Sequence, residues 1–116
     1  MSNLLSFFQP KKQSQGFVSL EAFDFYQNMK VKRGQIIDVR TPNEFMQGHI
    51  SNAKNIDFFD ANFADRIARL PKEKTVFIYC QSGMRSKKAA RLMVDLGFKE
   101  VIELSGGYLA WKRHAG

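Results

Sequence analysis

The sequence predicts an α/β fold built on a mainly parallel sheet. Strand-like and helix-like segments alternate along most of the 116 residues, the order that builds βαβ units. "TVFIY" (75–79) is an apolar run of the kind buried on both faces of a parallel sheet. Residues 86–96 place Ala89, Leu92, Met93 and Leu96 at i, i+3, i+4 and i+7, one face of an amphipathic helix.

The elements follow in order. Residues 9–16, "QPKKQSQG", are polar with Pro and Gly and read as a leader. Residues 1–16 are therefore expected to form an arm, with one domain over 17–116. "FVSLEAFDFYQN" opens with a short strand-like piece, then sets Leu20, Phe23 and Tyr26 or Phe25 at helical spacing, with Ser19 as N-cap. "GQIIDVR" is a short buried strand entered through Gly34. Thr41-Pro42-Asn43-Glu44 has the form of a capping box with Pro at the first helical position. That short helix runs to about Gln47 and stops at Gly48.

"AKNI" is a further strand. Residues 60–70 carry Phe63, Ile67 and Leu70 at helical spacing, and Pro71 ends them. After "TVFIY" and the 86–96 helix, Gly97 supplies a C-cap. "EVIEL" is the last strand, and "SGGYLAWKRHAG" a turn and short helix. In such sheets the ligand site lies beyond the carboxyl ends of the strands, where Cys80 falls.

Composition narrows the function. One cysteine rules out an intramolecular disulfide framework. With only His49 and His114 beside it, a zinc cluster is not expected. No apolar run approaches the ~18 residues of a membrane span. The N-terminal "LLSFF" is short, and its lysines follow it rather than precede it, unlike a secretory signal. The chain is expected to be cytoplasmic. Its net charge of +7 is spread along the sequence with no nucleic-acid motif, so a small anion or an acidic protein is a better partner than nucleic acid.

The chemistry gathers in "CQSGMRS" (80–86), between a strand and a helix. Three features favour the ionised thiol of Cys80: the amides and positive dipole end of the following helix, a tight turn through Gly83 that aims N–H groups inward, and the charge of Arg85. Such a turn can cradle a phosphate or a sulfur. Protein-tyrosine-type phosphatases separate Cys and Arg by five residues; here four intervene. The shorter ring suits a smaller group on the cysteine.

"CQSGMRS" resembles the active-site loop of rhodanese domains, which are sulfurtransferases. "IIDVRTPNEFMQGHISNAKNI" (36–56) is similar to that family's Asp-Val-Arg, Glu-Phe, Gly-His-Ile and Ala-x-Asn-Ile signature, and "ELSGGYLAW" (103–111) to its Leu-x-Gly-Gly-x-x-Ala-Trp signature. The likeness covers roughly residues 17–114. It implies a five-stranded sheet with helices on both faces. It also implies ping-pong transfer of a sulfane sulfur through a persulfide on Cys80, with no cofactor beyond that covalent sulfur. The donor would be thiosulfate or a persulfide, and the acceptor cyanide, an external thiol or a thioredoxin-like protein. The amides of Gln81, Ser82, Gly83, Met84, Arg85 and Ser86 would hold the persulfide. A sulfur carrier serving one protein partner, or a phosphatase or arsenate reductase, are the alternatives. Ser51-Asn52 replaces the family's usual Pro-Gly, and Asn tolerates the left-handed backbone such a turn needs.

Around the loop, Asp38, Arg40, Glu44 and His49 are expected to be supporting residues. Arg40 and Glu44, four apart, could pair. Asp38 could orient the loop or pair with Arg85, leaving Arg85 to shape the loop or to grip the donor. His49 belongs to a turn signature and is expected to be structural. Gly106 and Gly107 would give the final turn its tight backbone, with Trp111 in the core. Met84, Phe58 and Phe59 could line the mouth, and Lys87, Lys88 and Arg91 a solvated face that draws anions.

Overall fold

The computed structural model describes residues 16–115. Five strands, β1 (Val18–Leu20), β2 (Gly34–Asp38), β3 (Lys54–Asn55), β4 (Thr75–Tyr79) and β5 (Val101–Leu104), form one sheet in the order β1-β5-β4-β2-β3. Every pairing is parallel. The expected five-stranded α/β architecture is present, and "TVFIY" is the central strand. The expected arm at 1–16 lies almost wholly outside the described residues. No described helix is long and apolar enough to cross a membrane.

Alternation along β4 explains why both faces are covered. Val76 and Ile78 point to one face and Phe77 and Tyr79 to the other, all at most 1% exposed. The first face packs α3 (Phe63–Ala68) and α4 (Met84–Asp95) through Phe63, Ile67, Ala89, Ala90 and Met93. The second packs α1 (Ala22–Val31) and α5 (Gly107–Ala115) through Ala22, Phe25, Tyr108 and Trp111. Phe25 is fully buried, edge-on to Phe77 at 5.4 Å; burial of such a ring is worth about 1.5–3 kcal/mol. Trp111 is partly buried at the margin of that cluster.

α2 (Pro42–Met46) forms as its sequence directs. Thr41 Oγ1 accepts the Glu44 amide, Glu44 Oε1 accepts the Thr41 amide, and Pro42 starts the helix. The 51–52 turn holds Asn52 at φ +71°, the left-handed backbone anticipated there.

Several boundaries differ from the sequence reading: α3 is shorter than the expected 60–70 stretch, and two other differences bear on the site. Ser19 does not cap α1; β1 runs through it to Leu20 and Glu21 is the N-cap. Ser19 faces Glu103 across the β1–β5 ladder and donates to its carboxylate at 2.6 Å, a partner that helical periodicity cannot reveal. α4 begins at Met84, not Ser86. Gly83 adopts φ +115° as its N-cap, so the chain turns into the helix within the loop, and Met84 and Arg85 occupy the first turn.

Candidate functional site

Cys80 follows β4 directly and is 1% exposed. Its Sγ accepts the amide of Gly83 at 3.0 Å and that of Ser86 at 3.3 Å, while Ser86 Oγ lies 3.4 Å away. These donors sit at the start of α4, where the helix dipole presents its positive end. Two of the six loop amides, those of Gly83 and Ser86, thus reach the sulfur.

The loop is fastened from below by α5. The amides of Tyr108 and Leu109 donate to the carbonyls of Cys80 (2.8 Å) and Gln81 (3.2 Å). Gly107, at φ +63°, makes this approach possible: a Cβ there would fall 2.5 Å from the Gln81 carbonyl and 2.6 Å from that of Cys80. The "SGG" signature thus serves the loop as much as the final turn.

Asp38 and Arg40 form a second support, buried at 0% and 1% exposure. Arg40 Nε and Nη2 donate to the Asp38 carboxylate at 2.8–3.1 Å, Nη2 also to the Gly48 carbonyl at 2.7 Å, and Nη1 to Gln81 Oε1 at 3.0 Å. The guanidinium also lies 4.3 Å from the Tyr108 ring centre. Burial opposes the Arg40 charge, but the hydrogen bonds and attraction of Asp38 outweigh it and raise its pKa. Burial, then the neighbouring Asp38, pushes Tyr79 up. Through the Gln81 side chain this buried pair is tied to the 80–86 loop.

The third support corrects two expected pairings. Arg85 does not pair with Asp38, whose carboxylate is engaged by Arg40; nor does Arg40 pair with Glu44. Arg85 Nη1 and Nη2 instead form a fork on Glu44 at 2.9 and 3.1 Å. This Arg85 hydrogen bond, opposed by partial burial and aided by the Thr41 amide, holds Glu44 down at about 2. Glu44 in turn raises Arg85. The geometry favours the loop-shaping role for Arg85: α2 braces the loop across the site.

His49 stands apart. It stacks on Phe45 at 3.7 Å and places Nδ1 3.0 Å from the Phe45 carbonyl, a turn role as expected. Met84 and Phe59 are 71% and 66% exposed, and Phe59 lies 5.7 Å from the Arg85 guanidinium, so both border the loop. Phe58 packs inward against the core beside Phe63. A small polar cleft of about 80 Å³ beside the loop is lined by Arg40, Glu44, Gln47, Gln81, Tyr108 and Lys112. A hollow of about 410 Å³ between α1 and the 49–52 turn includes no residue of 80–86.

Sequence reading missed Glu103. Its carboxylate is fully buried beneath the loop and accepts the Ser86 hydroxyl at 2.6 Å, Ser19 at 2.6 Å and Lys87 Nζ at 3.3 Å. The available signal was an acidic residue inside the otherwise apolar "VIEL", where a buried charge demands partners.

A doubly covered parallel sheet thus ends its central strand in a buried cysteine whose sulfur accepts two amides, with the guanidinium groups of Arg40 and Arg85 bracing the loop around it. The rhodanese-like domain model matches residues 21–114. A thiosulfate sulfurtransferase GlpE of Coxiella burnetii is 37% identical over 86 residues, covering 72% of this chain and 78% of that protein. An uncharacterized protein YqhL of Bacillus subtilis is 39% identical over 80 residues; the match takes in 69% of this chain and 62% of that relative's length. The crystal structure of a rhodanese-related protein from Thermoplasma volcanium superposes with a TM-score of 0.73 at 29% identity, covering 83% of this chain and 91% of that one. The chain belongs to the rhodanese-like domain family, whose members named above include a sulfurtransferase.

Proposed function

We propose that the protein transfers a sulfane sulfur from thiosulfate or a persulfide donor to a thiophilic acceptor through a persulfide on Cys80. The observation that carries this reading is the tight seat of Cys80 Sγ, with the Gly83 and Ser86 amides at 3.0 and 3.3 Å and four residues before Arg85. Cys80 Sγ, giving up its proton as it reacts, attacks the outer sulfur of thiosulfate. A Cys80–S bond forms, the S–S bond of the donor breaks, and sulfite leaves with that bond's electron pair. The remaining amides of 81–86 receive the outer sulfur, whose charge they stabilise. An acceptor thiolate or cyanide then attacks that sulfur and Cys80 leaves as thiolate.

With a single cysteine in the chain, no internal thiol can discharge the persulfide as a disulfide. The acceptor comes from outside. Exposed Met84 and Phe59 at the rim favour a protein acceptor of the thioredoxin kind over a small molecule alone. A cytoplasmic setting, which keeps thiols reduced, suits this chemistry.

Steady-state kinetics with thiosulfate and cyanide test the proposal. Parallel double-reciprocal lines, abolished in Cys80→Ser, are expected. Intersecting lines, or full activity in Cys80→Ser, would overturn it.

A further inference from the structure

Ser86 has one hydroxyl hydrogen and three neighbours. The 2.6 Å contact to Glu103 Oε2 is in the range of an O–H···O⁻ bond, and takes that hydrogen over the Gly83 carbonyl at 3.2 Å. Ser86 Oγ then offers a lone pair to Cys80, whose thiol donates across 3.4 Å. Thiol, hydroxyl and carboxylate form one chain, S–H···O–H···⁻O₂C, with Cys80 and Ser86 at most 1% exposed and Glu103 fully buried.

We propose that Glu103 is a positioning residue that takes the Cys80 proton through Ser86. As Cys80 attacks, its proton passes to Ser86 Oγ and the Ser86 proton passes to Glu103 Oε2. The products are a bond from Cys80 Sγ to the electrophile and a neutral Glu103, whose O–H now donates back to Ser86. Oε1 keeps accepting from Ser19 and Lys87 throughout. In sulfur transfer, Cys80–SH, Glu103 carboxylate and thiosulfate become the Cys80 persulfide anion, neutral Glu103 and sulfite, with charge conserved. When an acceptor thiolate removes the outer sulfur, the stored proton returns to Cys80 by the same path. The return step rests on the sulfurtransferase reading; the first does not.

The charged groups around this chain are few. From α4 come Lys87, paired with Glu103, and Arg85, which feels the Cys80 charge but is tied to Glu44. From the end of β2 come Asp38 and Arg40, which neutralise each other. From β1 comes the Ser19 hydroxyl alone. Among these described neighbours, Glu103 is the one carboxylate linked to the thiol through a single hydroxyl.

Iodoacetamide alkylation tests the relay without any sulfur donor, since Cys80 is the chain's one thiol. Wild type, Glu103→Gln, Ser86→Ala and the double variant are compared across pH, with folding checked by circular dichroism. Glu103→Gln should slow alkylation on the order of a hundredfold near neutral pH, and the gap should close as hydroxide replaces the lost base. Ser86→Ala should show the same loss, and the double variant no further loss. If Glu103→Gln does not fold, Ser86→Ala, which leaves Glu103 its Lys87 and Ser19 partners, carries the test. An equal slowing at every pH would mean a structural role, and unchanged or faster alkylation near neutral pH a mere like-charge neighbour; either overturns the relay. If the wild type shows the pH pattern but releases no sulfite from thiosulfate, the sulfurtransferase reading fails and the relay stands.

Discussion

The Arg85–Glu44 fork makes the role of Arg85 measurable. Glu44→Gln removes the charge but leaves a residue that still completes a capping box with Thr41, so the α2 cap survives while the brace is lost. The Glu44 carboxyl is held at about 2 against an ordinary 4.5. At about 1.4 kcal/mol per pKa unit, that is at most about 3.5 kcal/mol. The side chains are 20% and 31% exposed, so water screens the pair and the expected contribution is about 1–2 kcal/mol. This is a melting-temperature loss of about 4–8 °C for a domain of this size.

Because the folded carboxyl lies below its free value, the contribution is complete above pH 4.5 and drains away as pH falls toward about 2. A double-mutant cycle of Glu44→Gln and Arg85→Gln, read by urea unfolding, isolates the pair. Its coupling should be about 1–2 kcal/mol at neutral pH and fall by about two fifths near pH 3.5. Coupling near zero at neutral pH, or coupling that ignores pH, would refute the brace. Sulfur loading of Arg85→Gln should fall together with stability; a pure rise in thiosulfate KM with unchanged stability would return Arg85 to substrate binding.

Other consequences are direct. Asp38→Asn leaves the buried Arg40 guanidinium short of its counter-charge and should cost about 3–5 kcal/mol by urea unfolding. Gly107→Ala drives a methyl into the Cys80 and Gln81 carbonyls at φ +63°; it should lower the melting temperature and abolish sulfur loading together, and near-normal loading would show that α5 does not set the loop. Asn52→Ala, at φ +71°, should destabilise by about 1 kcal/mol, whereas Asn52→Gly should be tolerated; equal effects would remove the left-handed turn from the argument.

Much of the fold was legible because its signals are local. The apolar "TVFIY", the Thr41–Glu44 box and the spacing of Ala89 and Met93 each state their structure within a few residues, and the flanking signatures supply the sheet. The cradle was legible for the same reason, since Gly83 and Ser86 lie within six residues of Cys80. What escaped notice depends on contacts between distant segments. Arg85 finds Glu44 across 41 residues, and Ser19 finds Glu103 across 84. Neither partner is set by periodicity. Arg40 was read four positions along to Glu44, yet two positions back Asp38 offers a buried, matching carboxylate, and burial decides the choice.

The central claim is that Cys80 carries the sulfur. Intact-mass measurement after brief exposure to thiosulfate, and separately to a small-molecule persulfide, tests it most directly. The account predicts a gain of one sulfur atom, lost on cyanide treatment and absent in Cys80→Ser. No gain from either donor, with Cys80-dependent hydrolysis of an aryl phosphate in its place, would contradict it.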